Sequence, residues 1–208
     1  MHRESHGLLA STILELDQTV PLNAFFGSLP EPTVGTPYSA PAMRAIVFTD
    51  VCGSVAQTDL LGDDGHMALL GDHNEIVRRE LGVQHGREVK HTGDGIMAAF
   101  TSVVSAIEFA VNVQRKMRQR NEGAATAFEI SIGVSAGEPV TDDNNDLFGA
   151  AVQLAARLCA AALPGAIAVS VAVRELCRGK SIAFVDMGEL DLKGLPEPTR
   201  AFSVTWPD

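Results

Sequence analysis

The chain has 208 residues, of which 46% are hydrophobic and 20% charged, and its formal net charge is −10. This length and composition are typical of one globular domain with a modest extension, and they exclude an intrinsically disordered chain. The negative charge argues against non-specific binding to nucleic acid, which requires a basic surface stripe, but not against binding of a nucleotide. No apolar run is long enough to span a bilayer, so no membrane segment is predicted.

The N-terminus and the cysteines indicate the cellular compartment in which the protein is expected. Glu15 and Asp17 interrupt a short apolar patch near the N-terminus, which argues against a secretory signal. The cysteines are odd in number and lack metal-ligand spacing, which predicts free thiols in a reducing, cytoplasmic environment. They are Cys52, Cys159 and Cys177. The histidines also lack ligand-like spacing, and we interpret His66, His73, His85 and His91 as surface or packing residues.

Residues 1–42 differ in composition from the rest of the chain. Leucines and isoleucines between 8 and 16 indicate a short helix, and prolines between 30 and 41 indicate an extended connector. We predict an N-terminal arm or linker over residues 1–42 and one folded domain over residues 43–208. A regulatory or dimer-contacting element is the alternative for the arm.

The sequence of the domain predicts seven strands and five helices. Strands are predicted at 43–50, 87–91, 95–100, 128–134, 166–170, 184–192 and 200–204. Helices are predicted at 55–61, 65–81, 103–120, 148–162 and 171–177, and a polar loop at 137–146. The order strand, helix, helix, strand, strand, helix, strand (βααββαβ) is that of an α+β sandwich of the ferredoxin-like, palm kind, here with additional C-terminal strands.

Two short stretches each place a carboxylate at the end of an apolar strand. One strand ends at Asp50, and the small residues Gly53 and Ser54 then allow the backbone to approach a ligand. In the other stretch, Asp94 stands between two glycines at the tip of a predicted hairpin. If the strands lie side by side, both carboxylates meet at one end of a sheet, where they suit a pair of hard divalent cations holding a triphosphate. Either motif alone is more typical of an ordinary turn or helix cap.

Five sequence blocks together resemble the catalytic domain of the class III nucleotidyl cyclases, the family of adenylate and guanylate cyclases. The resemblance extends from about Arg44 to Val204, and within the family the chain is most like a bacterial adenylate cyclase. The blocks are Phe48-Thr49-Asp50 before Gly53-Ser54, Lys90 ahead of Asp94, Asp146-Leu147-Phe148-Gly149, Ala155-Ala156-Arg157-Leu158, and Lys193-Gly194-Leu195-Pro196-Glu197-Pro198. Their order and spacing imply a class III cyclase homology domain.

The resemblance implies a metal site. Asp50 and Asp94 would be the metal-binding carboxylates, the carbonyl of Val51 would add a backbone ligand, and the cofactors would be two divalent cations, Mg²⁺ or Mn²⁺. In such a site one ion activates the ribose 3′-hydroxyl and the other neutralises the triphosphate and the leaving pyrophosphate. The backbone amides of residues 51–54, with Gly53 and Ser54 among them, would bind phosphate oxygens.

The resemblance also implies residues that bind the substrate. Lys90 and Asp146 occupy the base-selecting positions, and they suit adenine, because a lysine donates to its ring nitrogen and an aspartate accepts from its exocyclic amine. Lys193 occupies the position of a phosphate-contacting lysine. Gln153 and Arg157 lie four apart on a predicted helix and share a face.

In the family, the residues at the positions of Gln153 and Arg157 orient the ribose and stabilise charge on the α-phosphate. The usual residue at the first position is asparagine, so the longer Gln153 is a departure from the pattern. A small misplacement of such a group can cost about 10²-fold in rate.

The implied activity is that of an adenylate cyclase in signal transduction, a phosphorus–oxygen lyase that converts ATP into 3′,5′-cyclic AMP and pyrophosphate. A homodimer with shared active sites is implied, because in the family the metal carboxylates and the Lys/Asp/Arg set come from different subunits. One alternative is a guanylate cyclase, for which Lys90 and Asp146 are the wrong pair. Another is a non-catalytic nucleotide-binding or regulatory cyclase-like module, motivated by Gln153. A diguanylate cyclase would require a Gly-Gly-Asp/Glu-Glu-Phe motif, which the chain lacks.

Overall fold

The computed structural model describes residues 42–206, and the predicted arm lies outside them up to residue 41. The strands are β1 (Arg44–Val51), β2 (Arg87–His91), β3 (Gly95–Phe100), β4 (Ile130–Gly137), β5 (Val140–Thr141), β6 (Leu147–Phe148), β7 (Ile167–Ser170), β8 (Ala183–Leu190) and β9 (Thr199–Thr205). The helices are α1 (Ser54–Val83), α2 (Val103–Asn121), α3 (Ala150–Ala161) and α4 (Val171–Leu176). No helix within residues 42–206 is long and apolar enough to cross a membrane.

Seven of the strands form one sheet in the order β2-β3-β1-β4-β7-β9-β8. Each neighbouring pair is antiparallel except β4 and β7, which run parallel. The strands β5 and β6 form a separate two-stranded hairpin. The element order confirms the predicted α+β fold, because β1 to β4 with α2 and the two parts of α1 on either side of Gly62 follow the βααββαβ pattern, and the remaining strands come after them.

Helices cover both faces of the sheet, because successive side chains of a strand point to opposite sides. On one face, Val47 of β1 packs in a buried cluster with Val77 of α1 and Val113 of α2. On the other face, Ile46 of β1 packs with Ala155 of α3. The runs predicted as buried strands are therefore apolar without alternation, since both of their faces are covered.

The structure confirms one detail of the sequence prediction and corrects another. The two helices predicted at 55–61 and 65–81 are confirmed as the two parts of α1, which Gly62 separates with non-helical φ 71° and ψ 172°. The stretch predicted as a polar loop begins a hairpin, in which Val140 and Thr141 pair with Phe148 and Leu147. The prediction that a helix starts at residue 148 was wrong for this reason, and α3 begins at Ala150.

The contact between β4 and α3 is unusually close at Gly133. A β-carbon at this position would lie 2.2 Å from both the Ala155 carbonyl oxygen and the Cys159 amide nitrogen. Neither backbone atom can move without displacing the helix, so the sheet and α3 approach each other here only because the residue is glycine.

We therefore expect Gly133→Ala to destabilise the domain by about 1–3 kcal/mol through overpacking. For a chain of this size, each kcal/mol corresponds to a fall in Tm of about 2–4 °C, which thermal melting by circular dichroism measures. Gly71→Ala on α1 is the matched control, because nothing lies within 4 Å of its added β-carbon. That control should be neutral or stabilising by up to about 1 kcal/mol, and equal Tm values for the two variants would contradict the packing argument.

Candidate active site

The structure places the two strand-end aspartates at the same end of the sheet. β1 and β3 are direct neighbours, and their register sets Asp50 opposite Gly95, the residue after Asp94. The Val51 amide donates a hydrogen bond to the Asp94 carbonyl oxygen over 3.1 Å. The side-by-side arrangement expected from the sequence is therefore present.

The electrostatics of this pair fit a cation. Exclusion of water by the surrounding protein raises the pKa of the Asp50 carboxyl, and the negative charge of Asp94 raises it further. Within residues 42–206, no group of three or more His, Cys, Asp or Glu side chains is arranged to hold a metal ion. A divalent cation bound by the two carboxylates would therefore take further oxygen ligands from the backbone, from water or from a phosphate, as Mg²⁺ and Mn²⁺ do.

The turn after β1 corrects the predicted phosphate-binding segment. Two of its four amides are already engaged, since the Val51 amide donates to Asp94 and the Cys52 amide donates to the Glu129 carbonyl oxygen over 2.9 Å. Gly53 caps the N-terminus of α1 in a left-handed conformation, with φ 69° and ψ 31°. The amides of Gly53 and Ser54 lie at the start of this helix, where backbone N–H groups can contact an anion.

His66 lies beside the carboxylates, which its spacing in the sequence did not reveal. Its Nε2 is 3.6 Å from Asp94 Oδ1, the residue is 9% exposed, and its Nδ1 is buried without a hydrogen-bond partner in the described part of the chain. The interpretation of His66 as a surface or packing residue was therefore incomplete. No local signal could have found it, because the two residues are far apart in sequence and meet only in the folded domain.

The predicted base-selecting residues form an ion pair. Lys90 Nζ, on β2, donates to Asp146 Oδ2 over 2.6 Å, and it lies 5.3 Å from the centroid of the Phe148 ring. The hydrogen bond from Lys90 and the one from the Leu147 amide lower the pKa of the Asp146 carboxyl. The Asp146 amide is itself held by Asp142 Oδ1 at 2.8 Å. The two side chains thus lie together in one chain at a solvent-accessible place.

The predicted catalytic and phosphate-contacting residues form a third group. Gln153 and Arg157 are both exposed on α3, on the side opposite the buried Ala155. Gly194, in the loop between β8 and β9, lies close enough to Arg157 that an added β-carbon would be 3.9 Å from Nη2. Lys193, which precedes it, is exposed. The loop that carries Lys193 is therefore next to Arg157.

The predicted site residues thus fall into three groups. They are Asp50 with Asp94, Lys90 with Asp146, and the α3 residues with the β8–β9 loop. In the part of the chain that the structure describes, no hydrogen bond or ion pair joins one group to another.

Residues 41–205 match the family model of the adenylate and guanylate cyclase catalytic domain. The chain is 32% identical over 167 residues to the putative adenylate cyclase 3 of Rhizobium meliloti (strain 1021), covering 79% of this chain and 28% of that protein. It is also 32% identical over 150 residues to an adenylate cyclase of Lachancea kluyveri, covering 61% of this chain and 8% of that protein. The chain thus spans less than a third of the length of each of these relatives.

Solved structures show the same fold. An adenylate/guanylate cyclase/hydrolase from Silicibacter pomeroyi is 32% identical, with a TM-score of 0.69 over 80% of this chain and 97% of that one. The adenylyl cyclase CyaB from P. aeruginosa has a TM-score of 0.70 over 80% of this chain and 95% of that one, at 21% identity. At that lower identity the similarity concerns the fold alone.

The raised pKa of Asp50 predicts that this carboxylate destabilises the metal-free domain. A folded state that binds a proton more tightly than the unfolded state loses stability as pH rises above the ordinary aspartate pKa of 3.8. We therefore expect Asp50→Asn to raise the Tm of the metal-free protein at neutral pH, and this gain to vanish as pH falls below that value.

Thermal melting over a series of pH values, with a chelator present, measures the effect. Asp143→Asn removes one negative charge from an exposed position in the β5–β6 loop and is the control. A Tm of Asp50→Asn that is lowered equally at every pH would contradict the destabilisation by the Asp50 carboxylate.

Proposed function

The chain belongs to the family of adenylate and guanylate cyclase catalytic domains, and we propose that it is an adenylate cyclase that converts ATP into 3′,5′-cyclic AMP and pyrophosphate. The observation that carries the choice of ATP is the ion pair between Lys90 and Asp146, at 2.6 Å. The names of the relatives from Rhizobium meliloti and Lachancea kluyveri support the same choice.

The donor and acceptor pattern of this pair matches adenine. Lys90 carries only donors and would donate to the ring nitrogen N1, while the Asp146 carboxylate would accept from the exocyclic amine. Guanine presents a ring N–H and a carbonyl oxygen at these places, so both contacts would face the wrong partner. A polar site rejects such a mismatch because its own groups are then left unpaired.

Asp50, Asp94 and the carbonyl of Val51 would hold two divalent cations, Mg²⁺ or Mn²⁺. Bound ions supply charge neutralisation and a lower pKa for the attacking hydroxyl. In the reaction, the ribose 3′-oxygen forms a bond to the α-phosphorus and loses its proton, while the bond from that phosphorus to the oxygen of the leaving pyrophosphate breaks. The amides of Gly53 and Ser54 would bind phosphate oxygens at the start of α1.

The third group would act on the sugar and the phosphates. Arg157 would stabilise charge that develops on the α-phosphate oxygens, since its planar fork binds two oxygens at once. Lys193, on the adjacent loop, would contact the triphosphate, and Gln153 would orient the ribose.

We further propose a homodimer that builds two shared sites, each taking its metal carboxylates from one subunit and the other groups from its partner. In the described part of one chain no hydrogen bond or ion pair joins these groups, which is consistent with this arrangement. A cytoplasmic location is also part of the proposal, supported by the cysteines, which are free in the structure at positions 52, 159 and 177.

A non-catalytic nucleotide-binding module is the second candidate, and Gln153 is the observation that favours it. The glutamine amide stands about one bond length farther from α3 than an asparagine amide would. Cyclic AMP formation by the purified protein with Mn²⁺ and ATP would eliminate this candidate.

The base-selection proposal is tested by changing the pair. Replacing Lys90 with glutamate and Asp146 with serine removes both adenine contacts, so we expect kcat/KM for ATP to fall about 10²-fold or more, with a far smaller change for GTP. Product formation from ATP and GTP in parallel, with Mn²⁺, measures the ratio. The control is Arg200→Glu with Asp186→Ser, which changes the ion pair between Arg200 on β9 and Asp186 on β8 in the same way. It should leave the ratio of ATP to GTP turnover unaltered. An unchanged preference for ATP in the test variant would mean that the base is recognised elsewhere.

The shared site is tested by mixing two inactive variants. We expect Asp50→Ala and Arg157→Ala homodimers each to be nearly inactive. Random subunit exchange makes about half of the dimers mixed, and each mixed dimer has one intact site, so roughly a quarter of wild-type activity should return. Labelled subunits measure the exchange and a cyclic AMP assay measures the recovery. A mixture as inactive as its parents, despite complete exchange, would place the whole site within one chain.

A further inference from the structure

A chain of side-chain hydrogen bonds links Thr49 and Gly93, the residues that precede the two strand-end aspartates. His73, on α1, is fully buried, and its Nε2 lies 3.0 Å from Thr49 Oγ1 on β1. Its Nδ1 lies 3.1 Å from Asn74 Oδ1, an oxygen that is also 3.2 Å from Nε2 of His91 on β2. The chain ends on the backbone, where the Gly93 amide donates to His91 Nδ1 over 3.3 Å.

The backbone amide at one end constrains which nitrogen of each histidine ring carries the proton. Because an amide N–H only donates, His91 Nδ1 must accept from Gly93, and the ring proton therefore sits on Nε2 and points at Asn74. The Asn74 oxygen only accepts, so His73 is protonated on Nδ1 and its Nε2 accepts from the Thr49 hydroxyl. Burial lowers the pKa of His73 to about 4, so its ring is neutral at pH 7, as this arrangement requires.

Both ends of the hydrogen-bond chain are adjacent in sequence to the aspartates. Gly93 precedes Asp94, and Thr49 precedes Asp50. The Thr49 hydroxyl oxygen also accepts from the Ile96 amide on β3, 3.1 Å away. The network therefore connects the tip of the β2–β3 hairpin to the end of β1 through a helix that carries neither carboxylate.

We propose that His73, Asn74 and His91 are positioning residues that set the spacing of the Asp50 and Asp94 carboxylates and thereby the affinity of the site for divalent cations. This inference rests on the proposed function, in which those carboxylates bind the metal ions. Outer hydrogen-bond partners of metal sites typically contribute about 10–100-fold to metal affinity. If the same hydrogen bonds served stability alone, their loss would lower the Tm without weakening cation binding by the folded protein.

Substitutions of Asn74 separate these two roles. Asn74→Leu removes the oxygen to which both histidine rings donate, whereas Asn74→Asp retains an acceptor at that place. The measurement is Mn²⁺ binding to the full chain with a non-cyclisable ATP analogue, followed by the electron paramagnetic resonance signal of free Mn²⁺. We expect about 10-fold weaker Mn²⁺ binding for Asn74→Leu and near wild-type binding for Asn74→Asp. Glu75→Leu, at the next and exposed position of α1, is the control and should bind Mn²⁺ as the wild type does.

A second pair of variants covers the case in which Asn74→Leu does not fold. His91 is exposed, and His91→Gln keeps an acceptor for the Gly93 amide and a donor for Asn74, whereas His91→Leu keeps neither. We expect only the leucine variant to lose Mn²⁺ affinity. Wild-type affinity in the folded leucine variants, with Asp50→Ala still weakening it, overturns the positioning role and leaves the proposed function in place. Affinity that Asp50→Ala leaves unchanged overturns the proposed function and this inference with it.

Discussion

The antiparallel register between β1 and β3 is the constraint on which the rest of the site depends. It sets Asp50 opposite Gly95 and leaves Asp94 in the turn that leads into β3. The strands approach so closely here that a β-carbon on Gly95 would lie 1.8 Å from the Thr49 carbonyl oxygen. The second glycine of the Gly-Asp-Gly run therefore serves strand packing as well as the turn. A slip of one residue would turn Asp50 to the opposite face of the sheet and separate the carboxylates.

The same end of the sheet carries charged and buried polar side chains, which usually lower the stability of a core. Asp50 and Asp94 repel each other, and Thr49 and His73 carry polar atoms into the interior beneath them. The neutral His73 ring is tolerated because both of its nitrogens have partners, whereas a charged ring at this depth would be costly. The apolar clusters around α2 and α3 support this end of the domain, so the arrangement is that of a site built at some expense to stability.

The residues of the other two groups lie on elements that are far apart in sequence. Lys90 comes from β2 in the first half of the sheet, but its partner Asp146 comes from the short β5–β6 hairpin. Arg157 and the loop at Lys193 lie later still, on α3 and between β8 and β9. Each group is completed by a contact between elements that are distant in sequence. The fold class of the domain therefore does not by itself say how its candidate site is assembled, because contacts between particular residues complete each group.

Much of this could be predicted from local sequence, because hydrophobic periodicity and turn chemistry act over a few neighbouring residues. The β2–β3 hairpin is the clearest case, since the strand-like runs on either side of the Gly-Asp-Gly turn predicted both of its strands at the observed bounds. The five blocks also identified the family without any structure. The β5–β6 hairpin was missed, because its two-residue strands are too short to show a period.

Only the tertiary structure decided which polar groups meet. The contact of Thr49 with His73 joins residues 24 positions apart, and the contact of Lys90 with Asp146 joins residues 56 apart. No periodicity extends over such distances, so the histidines looked like ordinary surface or packing residues. The packing of α1 against the sheet decides that His66 lies beside Asp94 and that His73 contacts Thr49, because these residues meet only in the folded domain. The sequence by itself therefore determined the elements, the family and the candidate residues, whereas the fold determined their partners.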